Sequence, residues 1–245
     1  MAFWLMCSCA CFAGEPVIDF KTKFYPTSTT HQIVKHKYYT LSYDEAGEQA
    51  EWVAYLLTAA MPTSEFDRRN DFRPDPLVKT GSAELADYTG SNCDRGHLCP
   101  AEDMSFSKEA ISETFYLSNM SPQSSGFNRG IWSKLEAKVR NWAVAYDSLY
   151  IVTGGVLSSS KGTIGPNKVA VPKYYYKVIL HYTRTDVKMI AFLLPNEKAV
   201  GKLENYAVTT DSIEKLTGID FFQALPDDIE SQLESGCTIS NWAFF

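Results

Sequence analysis

Apolar and polar positions in this chain follow two rhythms, and each rhythm predicts a different kind of element. In "YYTLSYDEAGEQAEWVAYLLTAAMP" an aromatic alternation opens the segment and reads as a strand. It gives way to a helix-like spacing through Glu48, Trp52, Tyr55 and Leu56, stopped by Pro62. "RRNDFRPDPLVKTGSAELADYTGSN" is dense in Pro, Asp, Gly and Ser and reads mostly as loop. "SFSKEAISETFYLSNMSPQSSGFNRG" predicts a short helix, a strand over Thr114–Asn119 and a polar loop. In "NRGIWSKLEAKVRNWAVAY" the apolar residues fall at 131, 132, 135, 139, 142 and 143, a helical period, with Asn128 near the start as a cap.

Strands then dominate. "SLYIVTGGV", "VAVPKYYYKVILHY" and "VKMIAFLLPN" are β-branched and aromatic, with a hairpin turn around Thr185. The segment "TTDSIEKLTGIDFFQAL" reads as helix, with Thr210 or Asp211 spaced from Glu214 as an N-terminal cap, and an acidic amphipathic tail follows. Strands, one central helix, more strands and late helices predict an α+β fold. At 245 residues the chain can bury a full core, and the expected organisation is a short leader over residues 1–14 followed by a single domain over 15–245.

Charge adds a regional picture. The net charge is −6, but from Met189 onward three Lys face nine Asp/Glu; removing these from totals of 23 basic and 29 acidic leaves 20 of each before that point. The acidity therefore belongs to the C-terminal quarter. Between Lys161 and Lys188 six Lys/Arg face only Asp186, so a basic surface is expected there, and the overall pI excludes no nucleic-acid partner.

The N-terminal "MAFWLMCSCACFAGEPV" is apolar from Ala2 to Ala13, too short to span a bilayer as a helix. Its small-residue end predicts a secretory signal cleaved near Ala13 or Gly14, although no Lys or Arg precedes it; a buried first strand is the bland alternative. Export would place the protein outside the cell, in the periplasm or at the cell surface. Cleavage would leave Cys93, Cys99 and Cys237, enough for at most one disulfide.

The chemistry gathers around "NCDRGHLCPAEDM". A zinc knuckle from Cys93, His97 and Cys99 lacks the usual paired ligand spacings, and C-x5-C is not a redox C-x-x-C motif. A hydrolytic reading uses more of the sequence. Phosphodiester hydrolysis needs a base for the attacking water, positive charge for the oxyanions, and often a hard metal ion with few protein ligands. His97 can be the base, Arg95 lies two residues away, and Asn128, Trp132 and Glu136 are spaced by four along one predicted helix.

"DRGH" followed by N-x3-Q-x4-N-x3-W-x2-LE resembles the sugar-nonspecific DNA/RNA endonucleases of the ββα-metal class, the Serratia nuclease and endonuclease G group. The likeness runs from Arg68 to Val144 and more loosely to "IEKLTGIDFFQALPDDIE". It implies a central antiparallel sheet with flanking helices, and Mg2+-dependent cleavage of DNA and RNA, with Mn2+ as an alternative ion. It implies His97 as general base, Asn128 as the direct metal ligand, Glu136 as the carboxylate orienting metal-bound water, and Asn119 as a supporting polar residue. Arg95 would lie near the phosphate. A further phosphate-contacting arginine matches Arg69 best, with Arg68 and Arg73 as alternatives, and Trp132 is expected to pack beneath the site. No membrane span is expected, and the oligomeric state, a dimer included, is open. The competing reading is a catalytically inactive nucleic-acid-binding protein of the same fold.

Overall fold

Three strands open the fold: β1 (Ile33–Lys35), β2 (Thr40–Asp44) and the ten-residue β3 (Gln49–Thr58). β3 corrects the helix predicted from the spacing of Glu48, Trp52, Tyr55 and Leu56. Its side chains alternate between two cores, Trp52 and Ala54 on one face and Val53, Tyr55 and Leu57 on the other. A strand buried on both faces reads as a continuous apolar run and loses its period-two signature. The computed structural model describes residues 24–63, 65–66 and 70–244, so the leader predicted over residues 1–14 lies outside the described residues, as do Arg68 and Arg69.

From residue 70 onward the proline-rich stretch is loop except for one turn of helix, α1 (Leu85–Tyr88). Then come β4 (Asp94–His97), α2 (Lys108–Glu113) and β5 (Met120–Gln123). The strand predicted over Thr114–Asn119 therefore falls a few residues too early. Leu117–Asn119 is a 3-10 turn instead, because Leu117 N–H donates to Arg73 O and Asn119 N–H bonds back to Tyr116 O.

α3 (Ser133–Tyr146) is the central helix that the apolar spacing predicts, burying Leu135, Val139, Trp142 and Ala143. It is not capped by Asn128. A wide π-type turn over Phe127–Trp132 precedes it, broken by non-helical dihedrals at Gly130.

Seven strands form one sheet in the order β1-β2-β3-β6-β9-β10-β11, with β6 (Ser148–Gly155), β9 (Tyr174–Tyr182), β10 (Val187–Pro195) and β11 (Ala207–Val208). Every neighbouring pair is antiparallel. The β9–β10 register pairs Tyr182 with Val187, placing the hairpin turn around Thr185 as predicted. β7 (Ser160–Ile164) and β8 (Val169–Pro172) form a separate ribbon.

α3 covers one face of the large sheet, packing Leu135 and Val139 with Ile151, Ile179 and Phe192. The other face is covered by α4 (Thr210–Thr217) and the loop after it, through Ile213, Ile219, Phe221 and Phe222 against Trp52 and Val178. Thr209, one residue earlier than predicted, caps α4 by accepting from Ser212 N–H, and Gly218 ends it with a left-handed φ of 74°. The acidic tail forms α5 (Asp227–Ser235).

Strand alternation removes one residue, Lys177, from the expected basic surface, while Lys161, Lys168, Lys173 and Arg184 are exposed. Lys177 lies on the α3-facing side of β9, beside Tyr175 and Ile179 in the strand's period of two, and is 1% exposed. Among the described residues no helix is long and apolar enough to cross a membrane.

Candidate active site

The site is built from the β4–β5 hairpin and the N-terminal part of α3. β4 and β5 pair antiparallel, Asp94 opposite Gln123, Gly96 opposite Ser121 and His97 opposite Met120. Arg95 and His97, two residues apart on a strand, project to the same side. Gly96 between them has a specific reason: a Cβ there would lie 2.1 Å from the fully buried Gln123 side chain. The DRGH glycine is thus set by Gln123, which the sequence pattern places 27 positions later.

His97 is 8% exposed, and Phe115 meets its ring edge-on at 4.9 Å between centroids, with Phe72 at 5.9 Å. The aromatic box fixes the plane of the imidazole. Arg95 is exposed, and its guanidinium rests over the Phe72 ring at 4.3 Å; among the described residues no carboxylate pairs with it. Its charge therefore stays available to a bound anion.

Asn128 enters from the π-type turn. Its Nδ2 donates to Asp94 Oδ2 at 3.0 Å, while the Arg129 guanidinium grips both oxygens of the same carboxylate at 2.9 Å. Burial would raise the Asp94 carboxyl, but the bonds from Arg129, Asn128 and Ser125 hold it below the usual carboxylate range. With its donor end tied to Asp94, Asn128 has its carbonyl oxygen left for a cation. The kink at Gly130 turns Trp132 fully into the core against Phe127 and Tyr175, so Trp132 does pack beneath the site and leaves the face that Asn128 and Glu136 share.

Glu136 sits above a buried ionic layer that the sequence motif did not reveal. Arg140 bonds Asp103 at 3.0 Å and Glu102 at 2.5 Å, and Tyr55 of β3 donates to Asp103 at 2.8 Å. The Lys177 ammonium lies 4.8 Å from the centre of the Trp132 ring. Burial pushes the Glu136 carboxyl up to about 8 against the pull of Lys177; Asp103 and Glu102 add to the rise and Arg140 opposes it. A cation entering the cleft would favour the ionised carboxylate. Arg140 was within reach of sequence reasoning, since it lies one helical turn beyond Glu136. Lys177 was not, because nothing local distinguishes it from the exposed lysines around it.

Arg95, His97, Asn128 and Glu136 converge on one cleft of about 270 Å³, which also touches Glu102, Arg129 and Ser133. A second groove of about 630 Å³ adjoins it, shares Arg95, Asn128 and Arg129, and runs past Phe72, Tyr88, Cys93 and Asp94. Asn119 is elsewhere. It is fully buried, its Oδ1 accepting from Cys99 N–H and its Nδ2 donating to the carbonyls of Cys99 and Thr114. It clamps the chain that leaves His97 and has no free polar atom for substrate.

Arg69 lies outside the described residues. Arg73 is committed elsewhere: it bonds Asp71 and Ser112 and stacks on Tyr116 at 4.1 Å. Cys93, Cys99 and Cys237 are free thiols. Cys99 is buried and its thiol is pushed well up by burial, which suits neither a redox pair nor a metal ligand.

A hairpin carrying His97, set beside a turn and helix that carry Asn128 and Glu136, is the arrangement of the ββα-metal nuclease fold. The chain belongs to the DNA/RNA non-specific endonuclease family, whose profile matches residues 18–228. It is 37% identical over 221 residues to Nuclease C1 of Cunninghamella echinulata var. echinulata, covering 83% of this chain and 87% of that one. Over 220 residues it is 34% identical to the mitochondrial nuclease EXOG of Homo sapiens and of Mus musculus, covering 82% of this chain. It spans 59% of the length of those EXOG proteins. A crystal structure of the EndoG/EndoGI complex superposes with a TM-score of 0.74 at 31% identity, covering 80% of this chain and 87% of that one.

Proposed function

We propose that this protein is a metal-dependent endonuclease that hydrolyses phosphodiester bonds in DNA and RNA. The observation that carries the reading is the convergence of Arg95, His97, Asn128 and Glu136 on one cleft. Family membership and relatives named nucleases support the same class of reaction.

The residues fit a hard divalent ion. Asn128 presents a neutral oxygen, Glu136 a nearby carboxylate, and the open cleft leaves room for the waters that Mg2+ retains. Asn128 would bind the ion directly and Glu136 would orient its waters from the side. When bound, the ion supplies positive charge to the phosphate oxygens and the leaving group.

His97, as neutral imidazole, takes the proton from the attacking water, and the aromatic box aims it. Arg95 holds a phosphate oxygen, steadied on Phe72. Arg69 serves as the second phosphate contact, a role that Arg73 leaves open by pairing with Asp71 and Ser112. Asn119 acts as a positioning residue by fixing Cys99, two residues beyond His97. Contacts to phosphates position a strand without reading its bases, which accounts for low sequence preference.

The apolar Ala2–Ala13 segment supports an export signal as the route out of the cell. Sequencing the N-terminus of the mature protein tests it: a start near Glu15 supports cleavage, and retention of Met1–Ala13 contradicts it. Digestion of supercoiled plasmid and of structured RNA, with Mg2+ or with EDTA, tests the enzymatic reading. Cleavage of both substrates only with the ion is expected, and binding without cleavage would favour a non-catalytic role.

A further inference from the structure

We propose that Lys177 is a positioning residue for the cleft, its buried ammonium serving as the fixed counter-charge by which the Glu136 carboxylate holds the waters of a divalent ion, a role that rests on the nuclease reading.

The placement of Lys177 goes against its chemistry. It stands on β9 in the middle of the sheet, opposite Thr153 of β6 and Phe192 of β10, and is 1% exposed. Lysine is almost never buried to this degree without a paired charge. Its Nζ nevertheless donates no hydrogen bond, and among the described residues no carboxylate forms an ion pair with it. The kink at Gly130 turns the Trp132 ring onto the ammonium, 4.8 Å away, which offsets part of the lost hydration. Packing alone gives no reason for the charge, since a methionine would fill a similar volume without stripping an ammonium of water.

The reason lies one layer up. Arg140 is spent on Asp103 and Glu102, and Asp103 also accepts from Tyr55. Among the described residues no Lys, Arg or His pairs directly with Glu136. Trp132 and Glu136 are four apart, so the ring that covers Lys177 and the carboxylate lie on adjoining turns. Of the charged groups acting on Glu136, Lys177 is the strongest, and Glu136 leads those acting on Lys177, ahead of Asp103. Burial pulls the ammonium below its ordinary value, and these two carboxylates oppose that fall. Lys177 is thus the cation left for Glu136. A direct ion pair would occupy the carboxylate oxygens that the waters of an ion need. A cation set back beneath the carboxylate balances its charge and leaves those oxygens facing the cleft.

Binding of MnCl2 by the chelator-stripped full chain, followed by electron paramagnetic resonance without nucleic acid, tests the assignment. The parent should bind one ion, and Asn128→Ala should lose it. Lys177→Met should raise the dissociation constant about 10- to 100-fold, the usual effect of losing a group that orients a ligand, while Tm stays the same or rises. Glu136→Gln should weaken binding to a similar degree. Adding Lys177→Met to Glu136→Gln should then change it by less than about twofold, because both act through one carboxylate. If Lys177→Met does not fold, Lys177→Gln carries the same expectation. No Mn2+ binding by the parent, parental affinity in the Lys177 variant, or losses that add in the double variant overturns the proposal. A parent that shows the Lys177 effect but nicks no plasmid with Mg2+ overturns the nuclease reading instead.

Discussion

His97 is held by packing, and in the proposed mechanism it takes a proton; these two roles separate on substitution. His97→Ala should lower kcat by about 100- to 10,000-fold, the usual contribution of a general base, while far-UV circular dichroism stays that of the parent. Near-parental activity in a folded variant would remove His97 from the mechanism. Asp94 acts one step back from the cleft, since one carboxylate fixes both Asn128 and Arg129. Asp94→Ala frees the Asn128 amide to rotate, so the Mg2+ concentration for half-maximal rate should rise about 10- to 100-fold with a smaller change in rate at saturation. An unchanged metal titration would show that Asp94 does not orient the ligand. Arg95 and His97 were legible in the sequence from the DRGH motif and its family resemblance, whereas the strand that sets them on one side came with the structure. The role of Asn119 was not legible, because only the structure shows all its polar atoms spent on backbone.

Among the elements, the β4–β5 hairpin depends on one close approach. Gly96→Ala places a methyl against the Gln123 side chain, which is fully buried and has nowhere to move. The cost should be about 1–3 kcal/mol in urea unfolding, and Gln123→Ala in the same chain should recover most of it. Additive losses in the double variant would deny the contact. α3 and the β9–β10 hairpin could be read in advance, the first from a clean helical period and the second from a polar turn between two apolar runs. β3 could not, because burial on both faces erases its alternation. Asn128 was misread as a cap for a related reason: the break at Gly130 is a backbone event, and Asn-Arg-Gly offers no period to reveal it. Lys177 looked like part of a basic surface until strand register turned it inward beneath Trp132.

At the scale of the whole molecule, the seven-stranded sheet carries the cleft on one face and the acidic helices on the other, which explains why net charge was a poor guide to substrate. In the proposed function only the cleft side has to meet a polyanion, and binding there should weaken steeply as salt rises. The loop leading into the site is pinned by Asp75, which accepts from His36, Ser118 and Leu77 N–H. Burial would raise this carboxyl, but those bonds hold it below its ordinary value. A carboxyl lowered in the fold stabilises above the unfolded pKa and loses that contribution as pH falls through the folded one. Asp75→Asn should therefore cost about 1–3 kcal/mol at neutral pH, and the gap to the parent should narrow below about pH 4 in urea melts. A gap independent of pH would assign the loss to packing alone. Whether His97 and an Asn128-held ion work together in a single cleft is decided by plasmid nicking with the purified chain, His97→Ala and Asn128→Ala, each titrated with Mg2+ after chelation. The parent should cleave only with Mg2+, His97→Ala should fail at every concentration, and Asn128→Ala should recover partly at high Mg2+. Cleavage in EDTA, or parental titration curves in both variants, would contradict their joint action.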